Sequence, residues 1–135
     1  MEVIHDKALK LLLPVSTATL VTNHIEKSEI LDTKDEVSNL VVSWGLDEVT
    51  QLNKLIRFKN NLPSPITRDY TWPGLFKPFD HQRVTSEFLS INEKAFCFNE
   101  AGTGKTSSVL WAADYLMNQG KIKKVLIICP LSIMQ

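Results

Sequence analysis

The run Asn99-Glu100-Ala101-Gly102-Thr103-Gly104-Lys105-Thr106 constrains this chain more than any other segment. It stands between a short apolar run, Ala95-Phe96-Cys97-Phe98, and a stretch of helical periodicity that begins near Lys105. Strand, glycine-rich turn and helix, in that order, are the setting of a phosphate-binding P-loop. The glycines let successive N–H groups turn into one concavity, and the helix N-terminus adds partial positive charge. In such a loop Lys105 reaches the outer phosphates, and the Thr106 hydroxyl ligates the magnesium that accompanies them. The strict spacing asks for Gly where Asn99 stands; the Gly-x-Gly-Lys-Thr core is intact. The plain alternative is a glycine-rich turn that caps a helix.

The flanking segments predict the fold class. A helix is expected over residues 105–118, with Val109, Leu110, Ala112, Ala113, Leu116 and Met117 on its buried side and Gly120 ending it. Val125 to Cys129 is a second fully apolar run. Apolar on both faces, residues 95–98 and 125–129 read as central strands of a parallel sheet covered by helices. Upstream, Asp80 is placed to cap a helix whose apolar face is Val84, Phe88 and Leu89, with Phe79 and Val84 as a hydrophobic staple. Helix, strand, loop, helix, strand is the start of a doubly wound α/β nucleotide-binding lobe.

Residues 1–60 differ in character. Val15 to Thr22 reads as a strand, as does Val37 to Trp44 with Leu40, Val42 and Trp44 on one face. The polar stretch from Glu26 to Glu36 reads as a turn with a short strand near Ile30-Leu31. Asp47 reads as the N-cap of a helix carrying Val49, Leu52, Ile56 and Phe58. This is a small β-plus-α unit. Leu62-Pro63-Ser64-Pro65-Ile66 then predicts an extended linker over residues 61–75, since two prolines fix φ and remove two donors. Trp72-Pro73-Gly74 predicts a turn. The lobe is expected over residues 76–135.

Net charge is zero, so any nucleic-acid surface must be local. Lys121, Lys123 and Lys124 form the dense basic cluster, which also suits a solvated loop. Cys97 and Cys129 fall in predicted buried strands and are expected as small core residues in a reducing compartment. No apolar stretch approaches the roughly 20 residues of a membrane span. The N-terminus lacks the basic-then-apolar order of a secretory signal, so a cytoplasmic protein is expected.

Three segments in order point to a family. Pro78-Phe79-Asp80-His81-Gln82 resembles a Q-motif, the 99–106 loop resembles Asp-Glu-x-Gly-x-Gly-Lys-Thr, and Cys129-Pro130-Leu131-Ser132 resembles the end of motif Ia. Together they resemble the beginning of the Swi/Snf-type DNA-dependent ATPases of helicase superfamily two, most of all the bacteriophage versions. Asn99 replaces the family's usual Asp and Thr103 its usual Leu. The resemblance implies a RecA-like ATP-binding lobe in a bacterial or phage-infected cell. It implies that Gln82 reads adenine, with the adjacent donor and acceptor of its amide suited to that base, as in DNA recognition. It implies that Gly102, Thr103, Gly104, Lys105 and Thr106 hold ATP and Mg2+, with Lys105 catalytic and Thr106 the metal ligand. It implies that Pro130, Leu131 and Ser132 pass a double-stranded DNA backbone, although by spacing alone they suit a plain strand-to-loop step.

Hydrolysis also needs a carboxylate pair that holds magnesium and orients water, and arginines from a second lobe. In the resembled family these lie beyond the point matching Gln135, so the chain is expected to be the front of a longer ATPase. Asp47-Glu48 after an apolar strand imitates the acidic motif, but its order is reversed and Asp47 suits a cap. The alternative expectation is a short module that binds nucleotide, DNA or a partner without hydrolysis. A P-loop kinase is disfavoured by the absent lid and acceptor-site arginines. Oligomeric state is not legible here.

Overall fold

A computed structural model describes residues 1–75 and 77–133. The first half is a four-stranded antiparallel sheet with two helices. Strands β1 (Glu2–Ile4), β2 (Ala8–Pro14), β3 (Ser28–Lys34) and β4 (Val37–Ser43) lie in the order β1-β2-β4-β3. Helix α1 (Val15–His24) connects β2 to β3, and α2 (Leu46–Leu55) follows β4. The protein is thus mixed α/β, with its sheet in the N-terminal half.

Alternation sets the sheet's inner face. Leu9 and Leu11 of β2 and Leu40 and Val42 of β4 are buried, and the register sets Leu9 opposite Val42 and Leu11 opposite Leu40. Period-two burial of this kind needs a cover on one side only. Ala18 and Val21 of α1, with Ile25 just after it, supply part of that cover, and Val49 and Leu52 of α2 join the same core. Each such fully buried aliphatic side chain contributes about 1.5–3 kcal/mol.

Several expectations fail in this half: α2 ends at Leu55, so Ile56 and Phe58 lie beyond it, and Ser28–Lys34 is a full strand rather than a short one within a turn. Residues 15–22 form α1, not a strand, because Ala18, Val21 and Ile25 recur at helical spacing over the sheet. Asp47 is not a cap: Gly45 holds that position and Asp47 lies in the first turn of α2, paired with Lys121. Strands β1 and β2 had no strong signal. Their hairpin turns at His5-Asp6, with φ of 48° and 54°. The β3–β4 hairpin turns at Asp35-Glu36, with φ of 50° and 62°. Turns of this hand usually carry Asn-Gly or Asp-Gly, and neither pair contains glycine.

The proline-rich segment is packed, not solvated. Leu62, Ser64, Pro65 and Ile66 are buried, and Ile66–Asp69 makes one helical turn, α3. Trp44 Nε1 donates to the Pro63 carbonyl at 2.9 Å, and the Arg68 guanidinium lies 5.1 Å from the Trp44 ring centre. Ser64 Oγ meets Ser90 Oγ at 2.6 Å in helix α4 (Asp80–Ile91). Tyr70 Oη donates to Asp114 at 2.7 Å in helix α5 (Lys105–Asn118). Tyr70, Trp72, Trp111 and Tyr115 form edge-to-face pairs with ring centres 5.1 to 5.9 Å apart. One connected core therefore runs from Leu9 to Tyr115.

Burial at this junction raises the Glu87 carboxyl above its ordinary range, against the lowering effect of the Ser64 N–H that it accepts at 3.3 Å. A raised folded value means the folded chain binds the proton more tightly than the unfolded one. Stability then falls as pH climbs from the ordinary carboxyl range through the folded value. Glu87→Gln keeps an acceptor for Ser64 and removes the buried charge. Its melting temperature is expected above wild type at pH 7, with the gain gone below about pH 4, where the carboxyl is protonated in both states. Thermal melts across that range check this; equal melting at pH 7 would count against it.

The parallel sheet is the main correction. Among the described residues neither 95–98 nor 125–129 forms a strand or pairs with another segment. Phe96 is 82% exposed, Phe98 89%, Leu126 85% and Ile128 88%. Apolar composition on both faces asks for burial, but a strand forms only where a neighbour takes its backbone bonds. Cys97 is half-exposed and Cys129 exposed, both free, so neither is a core residue.

Candidate nucleotide-binding site

Helix α5 spans Lys105–Asn118, as the sequence predicts, because glycine brackets it. Gly104 before it has φ 77° and Gly120 after it φ 71°, the left-handed region where a Cβ is strained. Its buried side differs from expectation. Ser108, Ala112 and Tyr115 are buried, whereas Val109, Leu110 and Met117 are over two-fifths exposed. Helix α4 differs likewise: Phe79 and Val84 are exposed and make no staple, and its buried face is Thr85, Ser86, Ser90 and Ile91. Phe79, not Asp80, holds the cap position. Its N–H donates to Gln82 Oε1 at 3.0 Å, half of a capping box, since a phenyl ring offers no return acceptor.

That polar face of α4 lies against the loop. Gln82 Nε2 donates to the Thr103 carbonyl at 3.3 Å, and His81 Nε2 meets the same oxygen at 3.0 Å. Asn99 Nδ2 donates to Thr85 Oγ1 at 2.9 Å, and Ser86 Oγ donates to the Ser108 carbonyl at 2.9 Å. Gln82 Nε2 lies over Gly104, where a Cβ would sit 2.1 Å from it and displace that amide, while the φ of 77° is what calls for glycine. Gly102 also has φ 77°, with open space around it. Lys105 Nζ turns back to donate to the Asn99 carbonyl at 2.8 Å. Thr103 Oγ1 donates to the Glu100 carbonyl at 2.7 Å.

The first backbone bond at the head of α5 runs from the Ser108 N–H to the Gly104 carbonyl at 3.1 Å. The N–H groups of Lys105, Thr106 and Ser107 therefore face the loop without helical acceptors. Thr106 is exposed. The structure thus brings Gln82, Gly102, Thr103, Gly104, Lys105 and Thr106 around one loop. Pro130, Leu131 and Ser132 are exposed, and Leu131–Ile133 makes a single 3-10 turn. Among the described residues no hydrogen bond joins them to the loop.

Sequence reading did not single out the loop contacts of His81, Thr85 and Asn99. A signal existed: Gln82, Thr85, Ser86 and Ser90 are polar at helical spacing, a stripe that is solvated unless something polar lies against it. A cleft of about 750 Å³ lies elsewhere, between α2 and the C-terminal ends of α4 and α5, lined by Leu46, Ile91 and Leu116. Its charges already pair, Lys54 with Glu93 at 2.6 Å and Lys121 with Asp47, so size alone does not make it the functional site. Comparison with protein-family models, with curated proteins and with solved structures finds no match.

Proposed function

We propose that the loop over residues 99–106 and helix α4 bind ATP with magnesium, as the front part of a DNA-translocating ATPase. The observation that carries the reading is Gln82 lying across Gly104: its amide touches the loop that would hold the phosphates. The residues present fit the group. Two left-handed glycines open the loop, three helix N–H groups face it, and an ammonium lies within its reach. On this reading Gly102, Thr103, Gly104 and Lys105 hold the phosphates, the Thr106 hydroxyl ligates Mg2+, and Gln82 favours adenine over guanine. The metal would supply charge neutralisation at the phosphates.

The same reading gives residues 95–98 and 125–129 parallel pairing in a RecA-like lobe once neighbouring strands cover them. It gives Pro130, Leu131 and Ser132 to a DNA backbone, with the salt dependence such contacts bring. The strong exposure of Phe96, Phe98, Leu126 and Ile128 favours a second reading, a non-hydrolysing module that presents these residues to a partner. Calorimetric titration of the chain with Mg-ATP and Mg-GTP tests the nucleotide reading. Saturable binding that prefers ATP is expected; no binding of either nucleotide overturns it. DNA-stimulated ATP turnover separates the translocase from the module.

A further inference from the structure

We propose that Thr85 and Asn99 are positioning residues that hold the phosphate-binding loop to the base-reading helix; this rests on the nucleotide reading above. A hydroxyl has one proton. Thr85 Oγ1 spends it on the His81 carbonyl one turn back, at 2.9 Å, leaving its lone pairs to accept. The group that fills them is the Asn99 amide, a pure donor through Nδ2, at 2.9 Å. The direction of the relay is therefore set: Asn99 to Thr85 to His81. His81 then closes the ring by meeting the Thr103 carbonyl with Nε2 at 3.0 Å.

The loop is held at two points, residues 99 and 103, by side chains one helical turn apart on α4. Between those points lies Gly102, and directly after the second come Gly104 and the free N–H groups of Lys105, Thr106 and Ser107. Asn99 matters twice, because its own carbonyl receives Lys105 Nζ at 2.8 Å. Where Asn99 sits fixes where the ammonium rests before a phosphate takes it. The relay also accounts for asparagine here: an aspartate has no proton to give Thr85, whose hydroxyl would have to abandon the His81 carbonyl to meet it. A pre-set loop binds phosphate without first ordering itself, and loss of one tether returns that ordering to the binding step.

Binding of Mg-ATP and of Mg-tripolyphosphate, which has no base, tests this with Thr85→Val, Thr85→Ser and Asn99→Ala. Thr85→Val keeps shape and loses the hydroxyl, and is expected to weaken both ligands about tenfold, the scale of one net hydrogen bond. Thr85→Ser keeps the relay and is expected within about twofold of wild type, a rescue that packing alone does not explain. Asn99→Ala removes the same bond from the loop side, without touching α4, and is expected to match Thr85→Val. It decides the matter if the valine variant does not fold. Wild-type tripolyphosphate affinity in Asn99→Ala overturns the proposal alone. Failure of the wild-type chain to bind either ligand overturns the nucleotide reading, and the proposal with it.

Discussion

Lys105→Ala is expected to lower affinity for Mg-ATP roughly ten- to a hundredfold while leaving the fold in place. A charge-assisted bond to a phosphate contributes roughly 1.5–3 kcal/mol, and about 1.4 kcal/mol is a factor of ten in affinity. The fold should tolerate the change for local reasons. Lys105 is the first residue of α5 and half-buried, and its ammonium's hydrogen bond goes to the exposed loop, at the Asn99 carbonyl. Alanine is the best helix former, and it removes a positive charge from a helix N-terminus, where positive charge is unfavourable. Calorimetry gives the affinity and a thermal melt gives the stability. An alanine variant that binds Mg-ATP as wild type does would remove Lys105 from the phosphates and with it the core of the proposed function. A variant that has lost binding and melted together would say nothing about the lysine, so the two are read side by side.

The backbone of the candidate loop was legible where conformation is written in single residues, and the fold was not legible where it depends on neighbours. Gly102, Gly104 and Gly120 announce left-handed backbone, and the bounds of α5 followed from two of them. The sheet was harder. Residues 15–22 hold Val15, Thr17, Thr19 and Thr22, all β-branched, yet the chain coils there because Ala18, Val21 and Ile25 must reach one face. Propensity of that kind yields to packing. The hairpin at His5-Asp6 went unseen, and that at Asp35-Glu36 was read only as part of a longer turn, because neither uses the residues that normally mark such turns. Residues 95–98 and 125–129 carry the opposite lesson. Their composition states a demand for cover, and composition cannot say whether the cover is met; Phe98 and Ile128 stand almost wholly in solvent. The tethers from α4 to the loop lay in a stripe of Gln, Thr and Ser, which reads as surface until a polar partner is placed against it.

Tyr70→Ala should remove about 3–5 kcal/mol of stability, the range for truncating a large buried ring. That is a large share of what a domain of this kind usually has. Tyr70 is 7% exposed and touches two edge-to-face partners, Trp72 at 5.1 Å and Tyr115 at 5.9 Å between ring centres. Its hydroxyl reaches Asp114 at 2.7 Å, and burial with that carboxylate pushes its ionisation well above the ordinary tyrosine value. The ring joins the segment after the proline-rich stretch to α5, so its loss opens a cavity at the seam of the connected core. Tyr70→Phe separates the parts: it keeps the ring, loses the Asp114 bond, and should lose only about 1 kcal/mol. Because one core runs from Leu9 to Tyr115, both ends should unfold together. Far-ultraviolet dichroism follows the sheet and helices, and fluorescence follows Trp44, Trp72 and Trp111, which sample both sides of the seam. In urea the two signals are expected to coincide for wild type and to shift together to a lower midpoint in Tyr70→Ala. Separate transitions in the wild-type chain would mean that the two halves fold independently and that Tyr70 does not tie them. A Tyr70→Ala loss no larger than that of Tyr70→Phe would mean that the ring's contacts contribute little and the hydroxyl accounts for the effect.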